Sequence, residues 1–309
     1  METRTKELRI RLRHLRAFLE VARERGVGRA AGTLRISQPA VTKTVRELEE
    51  VLGAPLFHRE GRRVRLTAAG EVLLPYAGQA LSAIRRGIES VTTDGGGPLV
   101  RIGALPTVSA RIMPAAIAAL IGEAPAPRLR LVTGENTVLL EQLRSGVLDM
   151  VVGRLAEPER MTGFFFEHLY SEQVVFVVRP DHPLFAAGPD LLTLLGDYPM
   201  LMPPQGSVIR PAVERFLLTR AISRPRTTIE TVSDSFGRAF VRVEDAVWVI
   251  SQGVVASDLA EGLLAALPID TDDTRGPVGL TMRTDTRAQP GLERIMQAIR
   301  DAALSRGAG

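Results

Sequence analysis

AAGTLRISQPAVTKTVRELEEVL, residues 30–52, breaks at Ile36 into two helical halves. Ser37 suits an N-cap and Pro39 falls in the first turn that follows, where its missing N–H costs nothing. From there Val41, Val45, Leu48 and Leu52 recur at helical spacing and predict one apolar face. The half before Ile36 is short and rich in Ala and Gly, so another helix can pack close to it. Upstream, Leu15, Phe18, Leu19 and Ala22 mark a further amphipathic helix that Gly26 and Gly28 interrupt. Three short helices with a tight middle turn form the helix-turn-helix pattern.

If the apolar face is inward, the last of these helices presents Gln38, Thr42, Lys43 and Arg46 outward, with Ser37 at its start. A major groove admits one helix and is read mainly by its N-terminal residues. Gln38 can pair with adenine through two bonds. Thr42 can meet a thymine methyl, Lys43 can reach guanine or phosphate, and the small Pro39 and Ala40 allow close approach. Residues 55–66, PLFHREGRRVRL, predict a two-stranded wing with Gly61 at its tip. Its Arg59, Arg62, Arg63 and Arg65 suit phosphate or minor-groove contacts. An ordinary solvated polar face would show the same residue types.

Charge is unevenly placed. The net value is +4, but residues 1–93 hold 18 Lys and Arg against 10 Asp and Glu, and the remainder is acidic. A basic head on an acidic body points to a polyanion partner for the head. The chain has no cysteine, which excludes disulfides and thiolate metal sites, and its four histidines are scattered. Neither a metal nor a cofactor is expected. No apolar run approaches the roughly 20 residues of a membrane span, and the basic N-terminus lacks an apolar signal core. These features predict a cytoplasmic protein with no membrane partner.

Residues 68–93 read as a long helix. Leu73, Ala77, Ala80, Ile84, Ile88 and Val91 alternate three- and four-residue steps, the seam of a coiled coil with a second copy. A helix packed on its own domain is the alternative. DGGGP, residues 94–98, is a flexible break. Beyond it, strand-like runs lie at 99–105, 129–133, 149–153, 174–180, 228–232, 246–250 and 278–283. Helical runs lie near 112–122, 137–145, 210–221, 234–242 and 290–304. Apolar strands alternating with helices predict a mostly parallel, doubly covered sheet. The excursion between 180 and 277 predicts a second lobe, and two crossings make a cleft.

The run from His14 to Gly70 resembles the N-terminal domain of the LysR-type regulators. It carries the family's pattern at Ala30, Ala31, Leu34, Ser37, Gln38, Pro39, Ala40, Thr42, Val45, Leu48 and Glu49. The pattern continues through Leu52, Gly53, Leu56, Phe57 and Arg59 to Leu66, Thr67, Ala69 and Gly70. Lys43 stands where the family often has Arg, and so gives up bidentate recognition. His58 replaces a commoner polar or charged residue. The resemblance extends over the whole chain. It implies an α+β winged helix-turn-helix domain and a long linker helix, joined to a two-lobed α/β effector domain similar to periplasmic binding proteins. The corresponding boundaries are 1–67, 68–97 and 98–309, with lobe I about 98–175 and 278–309 and lobe II about 176–277. It also implies a homotetramer, a dimer of dimers, on double-stranded promoter DNA, controlled by a small-molecule effector and acting on RNA polymerase. A narrower resemblance, at VRIGALPTVSARIMP and FEHLYSEQVVFVVRPDHPL, is to the subgroup with the protocatechuate (pca) operon activator and regulators of sugar-binding-protein genes. The first implies an aromatic-derived carboxylate as effector, the second a sugar.

Loops leaving strand ends should line the cleft. They contribute Pro106, Thr107 and Ser109, then Asn136 beside Glu135, then Arg154, and in the other lobe Ser207, Arg210 and Ser235. Hydroxyls and helix N–H groups suit a carboxylate, and Arg154 or Arg210 can fork one. Each Ser, Thr or Asn at a helix start can equally be a cap. Glu135 and Asp234 would repel an anion, which favours a sugar or marks them as structural. An enzyme would need a constellation that is missing. There is no H-E-x-x-H, G-x-S-x-G, G-K-[ST] phosphate loop or G-x-G-x-x-G after a strand. A pure DNA-packing protein would have no use for so large a body behind its basic head.

Overall fold

The structure is a computed structural model that describes residues 9–60, 63–92, 99–122, 128–222, 225–286 and 290–307. The chain divides into two compact units, residues 1–98 with 144–147, and residues 99–143 with 148–309.

The first unit holds α1 (Leu12–Glu24), α2 (Val27–Leu34), α3 (Gln38–Leu52), the strands β1 (Phe57–Glu60) and β2 (Arg63–Leu66), and α4 (Ala68–Thr92). Ala30 and Ala31 of α2 are buried against Ala17 and Val21 of α1 and Val41 and Val45 of α3. Their small side chains let three helices meet. Ser37 caps α3 by accepting from the Ala40 N–H at 3.4 Å, and Gly53 ends it in the left-handed region at φ 73°. Val51, not Leu52, completes the buried face; Leu52 is half-buried.

The residues after α3 are joined by short polar links. Glu49 accepts from the Leu56 N–H at 2.7 Å. Thr67 donates its hydroxyl to the Pro55 carbonyl at 2.7 Å and accepts from the Gly70 N–H at 3.0 Å, so it starts α4. A Cβ on Gly70 would run into the Leu56 carbonyl. The wing strands pair antiparallel from Phe57 opposite Leu66 to Glu60 opposite Arg63. The wing tip, with Gly61, and the break at 94–98 lie outside the described residues.

The predicted seam of α4 divides in two. Leu73 and Ala77 pack into the cluster of Phe18, Leu48 and Leu56, whereas Ala80, Ile84, Ile88 and Val91 stay exposed. The first turns therefore serve their own domain, and only the rest of the stripe is left for a partner.

The second unit continues with β3 (Leu99–Ala104), α5 (Pro106–Arg111), α6 (Met113–Leu120), β4 (Arg128–Thr133), α7 (Asn136–Arg144), β5 (Met150–Arg154) and β6 (Phe164–Glu172). Next come β7 (Val174–Val178), α8 (Leu191–Leu194), β8 (Met200–Met202), α9 (Arg210–Thr219), β9 (Thr228–Glu230), α10 (Asp234–Val243) and β10 (Val247–Ser251). It closes with α11 (Ala256–Ala260), β11 (Ala265–Ala266), β12 (Gly276–Arg283) and α12 (Pro290–Gly307). The strands form two sheets, ordered β4-β3-β5-β12-β6 and β11-β7-β10-β8-β9. Each has its own apolar core, the first around Ile102, Val152 and Leu280, the second around Phe176, Val249 and Trp248.

The sheets are mixed, which corrects the expectation of a mostly parallel one. β3, β4 and β5 run parallel, but β12 is antiparallel to both β5 and β6. In the other sheet β7 is antiparallel to β10 and β11. The cause is the double crossing: the strands that enter and leave the second lobe run against the crossover-connected ones. The outward crossing falls at Gln173 alone, between β6 and β7, and the chain is back in the first sheet by Gly276. The helix expected near 112–122 is two helices, beginning at Pro106.

Candidate DNA-reading face and sensing cleft

On α3, Gln38, Pro39, Thr42, Lys43, Arg46, Glu47 and Glu50 line one open concavity. Gln38, Pro39, Lys43 and Arg46 are exposed, while Ala40 and Thr42 are half-buried. Ser37 is exposed but its hydroxyl serves the cap. The spacing thus brings together most of the residues expected to face bases. Arg59 and Arg63 belong to the paired wing strands, and Arg62 lies outside the described residues.

Glu47 and its partners on α1 have no local signal in the sequence. Glu47 Oε2 lies 3.0 Å from Arg13 Nη2 and 3.1 Å from His14 Nε2. His14 is buried, and its Nδ1 accepts from the Arg11 N–H at 3.2 Å. The His14 hydrogen bond, more than the Arg13 pairing, pulls the Glu47 carboxyl below the usual range.

In the second unit the expected cleft residues separate into several environments. Pro106 opens α5, so Thr107 and Ser109 sit inside a helix rather than on a loop. Ser109 donates back to the Pro106 carbonyl at 3.1 Å. Thr107 is buried, and its Oγ1 makes no hydrogen bond among the described residues. Asn136 is buried at the first turn of α7.

Arg154 lies at the crossings. Its guanidinium donates to the Glu172 carbonyl at 3.3 Å and to the Thr274 carbonyl, instead of opening as a fork. Arg210 is held by Glu214 at 2.7 Å, Glu230 at 2.8 Å and the Pro203 carbonyl at 2.7 Å. Ser207 is half-buried just before α9. Ser235 is 3.1 Å from Ser233 Oγ, which caps α10 by accepting from the Phe236 N–H.

The structure adds Glu172, Arg111 and Gly253. Glu172 ends β6 just before the outward crossing, with its side chain almost fully buried. Its Oε1 accepts from the Gly253 N–H at 2.8 Å and from Arg111 Nη1 at 3.3 Å, while Oε2 makes no hydrogen bond among the described residues. Arg111 also lies 5.2 Å from the Tyr170 ring centre. A Cβ on Gly253 would strike Glu172 Oε1 and come within 3.2 Å of the Thr107 carbonyl. A residue of one lobe, Glu172, is thus bonded to a backbone N–H of the other. Burial pushes the Glu172 carboxyl up, against the pull of Arg111, the Gly253 N–H and Arg154. Burial also pushes Arg154 down, against Glu172. Desolvation outweighs pairing on both sides. The signals in the sequence are one acid, separated by a single glutamine from an all-apolar strand, and one arginine at the end of an otherwise uncharged helix.

Comparison with known proteins agrees with both halves. Residues 12–71 match the model of bacterial regulatory helix-turn-helix proteins of the lysR family, and residues 93–304 match the LysR substrate binding domain. The chain belongs to the LysR family of transcription regulators. It is 56% identical over 297 residues to the HTH-type transcriptional regulator PcaQ of Agrobacterium fabrum, covering 96% of each chain. It is 30% identical over 298 residues to the HTH-type transcriptional regulator GbpR of Azospirillum brasilense, covering 96% of this chain and 87% of that one. Among solved structures, a full-length OxyR variant from Pseudomonas aeruginosa is similar at 25% identity and a TM-score of 0.58, over 94% of this chain and 97% of that one. As a LysR regulator, the chain pairs a DNA-reading head with a ligand-binding body.

Proposed function

We propose that this LysR regulator binds pseudo-palindromic promoter DNA as a dimer of dimers and responds to an aromatic-derived carboxylate of the protocatechuate pathway. The DNA half rests on α3, whose capped N-terminus and polar face form a single concavity. The exposed stripe Ala80, Ile84, Ile88 and Val91 on α4 supports pairing with a second copy. Paired readers meet half-sites about one helical turn, or a multiple, apart. Gln38, Pro39, Ala40, Thr42 and Lys43 read or approach bases. Arg46 and the wing arginines Arg59, Arg62 and Arg63 hold phosphates.

The likeness to PcaQ over nearly the whole chain carries the effector half. Thr107, with its buried hydroxyl, and Asn136 line the pocket with Pro106 and Ser109. Ser207 and Ser235 approach from the other lobe. Arg154 and Arg210 shape the site through the bonds they already make. The effector favours one arrangement of the lobes and of the oligomer, and so changes DNA bending and the engagement of RNA polymerase. The body binds its ligand and does not transform it, and the protein works in the cytoplasm. No described helix is long and apolar enough to cross a membrane.

The test is a thermal-shift series on the full chain with protocatechuate-pathway acids and simple sugars. A ligand at one hundred times its Kd adds about 2.7 kcal/mol to the state that binds it. Stabilisation by one of the acids alone is expected; stabilisation by sugars alone overturns the effector assignment and leaves the DNA-binding one intact.

A further inference from the structure

We infer that Arg13 is a phosphate-contacting residue of the DNA complex, positioned for that contact by Glu47 of the reading helix.

α1 and α3 meet mostly through apolar side chains, Ala17 and Val21 against Val41 and Val45. At the edge of that interface the contact turns polar. Arg13 and His14 converge on one oxygen of Glu47, at 3.0 and 3.1 Å. Because His14 Nδ1 accepts from the Arg11 N–H, the ring proton sits on Nε2 and is donated to the carboxylate. The imidazole is buried and bonded at both nitrogens, so it holds Glu47 at a fixed point on the rim of the concavity. Glu47 in turn holds Arg13, whose side chain is 55% exposed.

A carboxylate in this place has an electrostatic cost. Glu47 and Glu50 share the concavity with Lys43 and Arg46, so the charges on the face that meets a polyanion cancel. A glutamine at 47 would carry no charge toward phosphates, but its neutral amide oxygen would hold Arg13 by a much weaker hydrogen bond. What its negative charge adds is a fixed guanidinium beside the groove. In a helix-turn-helix the first helix crosses the DNA backbone while the second enters the groove. Here those two helices are α2 and α3; Arg13 lies in the first turn of α1, tied to the rim of the α3 concavity through Glu47, and a guanidinium carries five N–H donors in a fork that suits phosphate. The Glu47 contact uses one of its terminal nitrogens. The low-lying Glu47 carboxyl keeps the pair ionised at neutral pH.

The two roles for Glu47 predict opposite signs. If it merely repels phosphates, removing its charge tightens binding. If it positions Arg13, removing its charge weakens binding. The experiment uses the full-length chain with two duplexes of equal length, one selected from a random pool by the wild-type protein and one scrambled. Affinity is measured across a salt series, and thermal melts check that each variant is folded. Arg13→Ala is expected to weaken both duplexes alike and to make the slope of log K against log salt shallower by about 0.9, one phosphate contact. Glu47→Gln is expected to lower affinity in the same way, although it removes a negative charge. Added to Arg13→Ala, it is expected to cause no further loss. An unchanged salt slope in Arg13→Ala overturns the contact. Tighter binding by Glu47→Gln in the wild-type background overturns the positioning role.

Discussion

The reading head and the sensing body handle their polar groups in opposite ways. In the head, Ser37, Glu49 and Thr67 each bond backbone groups three to twelve positions away, and the charges stay at the surface. In the body, the polar groups at the crossings are buried and come from distant parts of the chain. Arg111 reaches Glu172 over 61 positions, Glu172 reaches Gly253 over 81, and Arg154 reaches Thr274 over 120. Among the described residues every buried side-chain polar atom of the head has a hydrogen-bond partner, whereas Thr107 Oγ1 and Glu172 Oε2 keep unfilled bonding capacity in the body. A preformed surface suits a rigid polymer. A buried, incompletely bonded cluster costs stability that a ligand can return.

The contrast can be broken at two glycines. Gly70→Ala drives a Cβ into the Leu56 backbone carbonyl, which cannot turn aside. It should cost about 3 kcal/mol, the upper end of overpacking, read as loss of the head's unfolding transition. Gly253→Ala meets a side-chain carboxylate instead and should cost less. If calorimetry shows the reverse order, the head is the more adaptable unit and the contrast is wrong.

Gln38→Ala should lose about 2 kcal/mol on a selected duplex and almost nothing on a scrambled one. Equal losses on both would mean that Gln38 reads no base.

Two carboxylates on β6 sharpen the comparison within the body. The Glu172 carboxyl is raised by burial, so the stability it contributes is complete below the ordinary glutamate value of about 4.3 and is lost as pH rises through the raised one. Glu172→Gln should flatten that fall in a profile of Tm against pH. An unchanged profile would show that burial does not govern this group. Glu167 is lowered, chiefly by the Arg300 hydrogen bond, so its stabilisation is present above the ordinary value and fades as pH falls. That pair is half-buried and reached by solvent, and Glu167→Gln should cost about 1 kcal/mol or less at neutral pH. A larger loss would place this pair among the fully buried ones.

The same division governs what could be read in advance. The three helices, the Ser37 cap and the wing were legible because their bonds are local. Gly70 stands in the family pattern, and its physical reason is the Leu56 carbonyl. β6 was missed because FFFEHLYSE, at a sheet edge, alternates irregularly between half-buried and exposed positions. β8 and β11 are too short, at three and two residues, to show a period. Arg154 was expected to point at a ligand, since nothing local reveals the two carbonyls that occupy it. Glu47 was passed over because its partners lie on another helix, 33 and 34 positions away.

The two crossings run side by side. Val174 donates its N–H to Thr274 Oγ1 at 2.9 Å and accepts from Thr271 Oγ1 at 2.6 Å, with Gln173 alone bridging the sheets on the outward pass. Two short connectors clamped together resist stretching and sliding but yield to torsion about their common line. The body can therefore report its ligand as an angle, a single rotation of one lobe on the other. A rotation grows into a larger displacement with distance from its axis, so the signal is strongest far from the pocket that sets it.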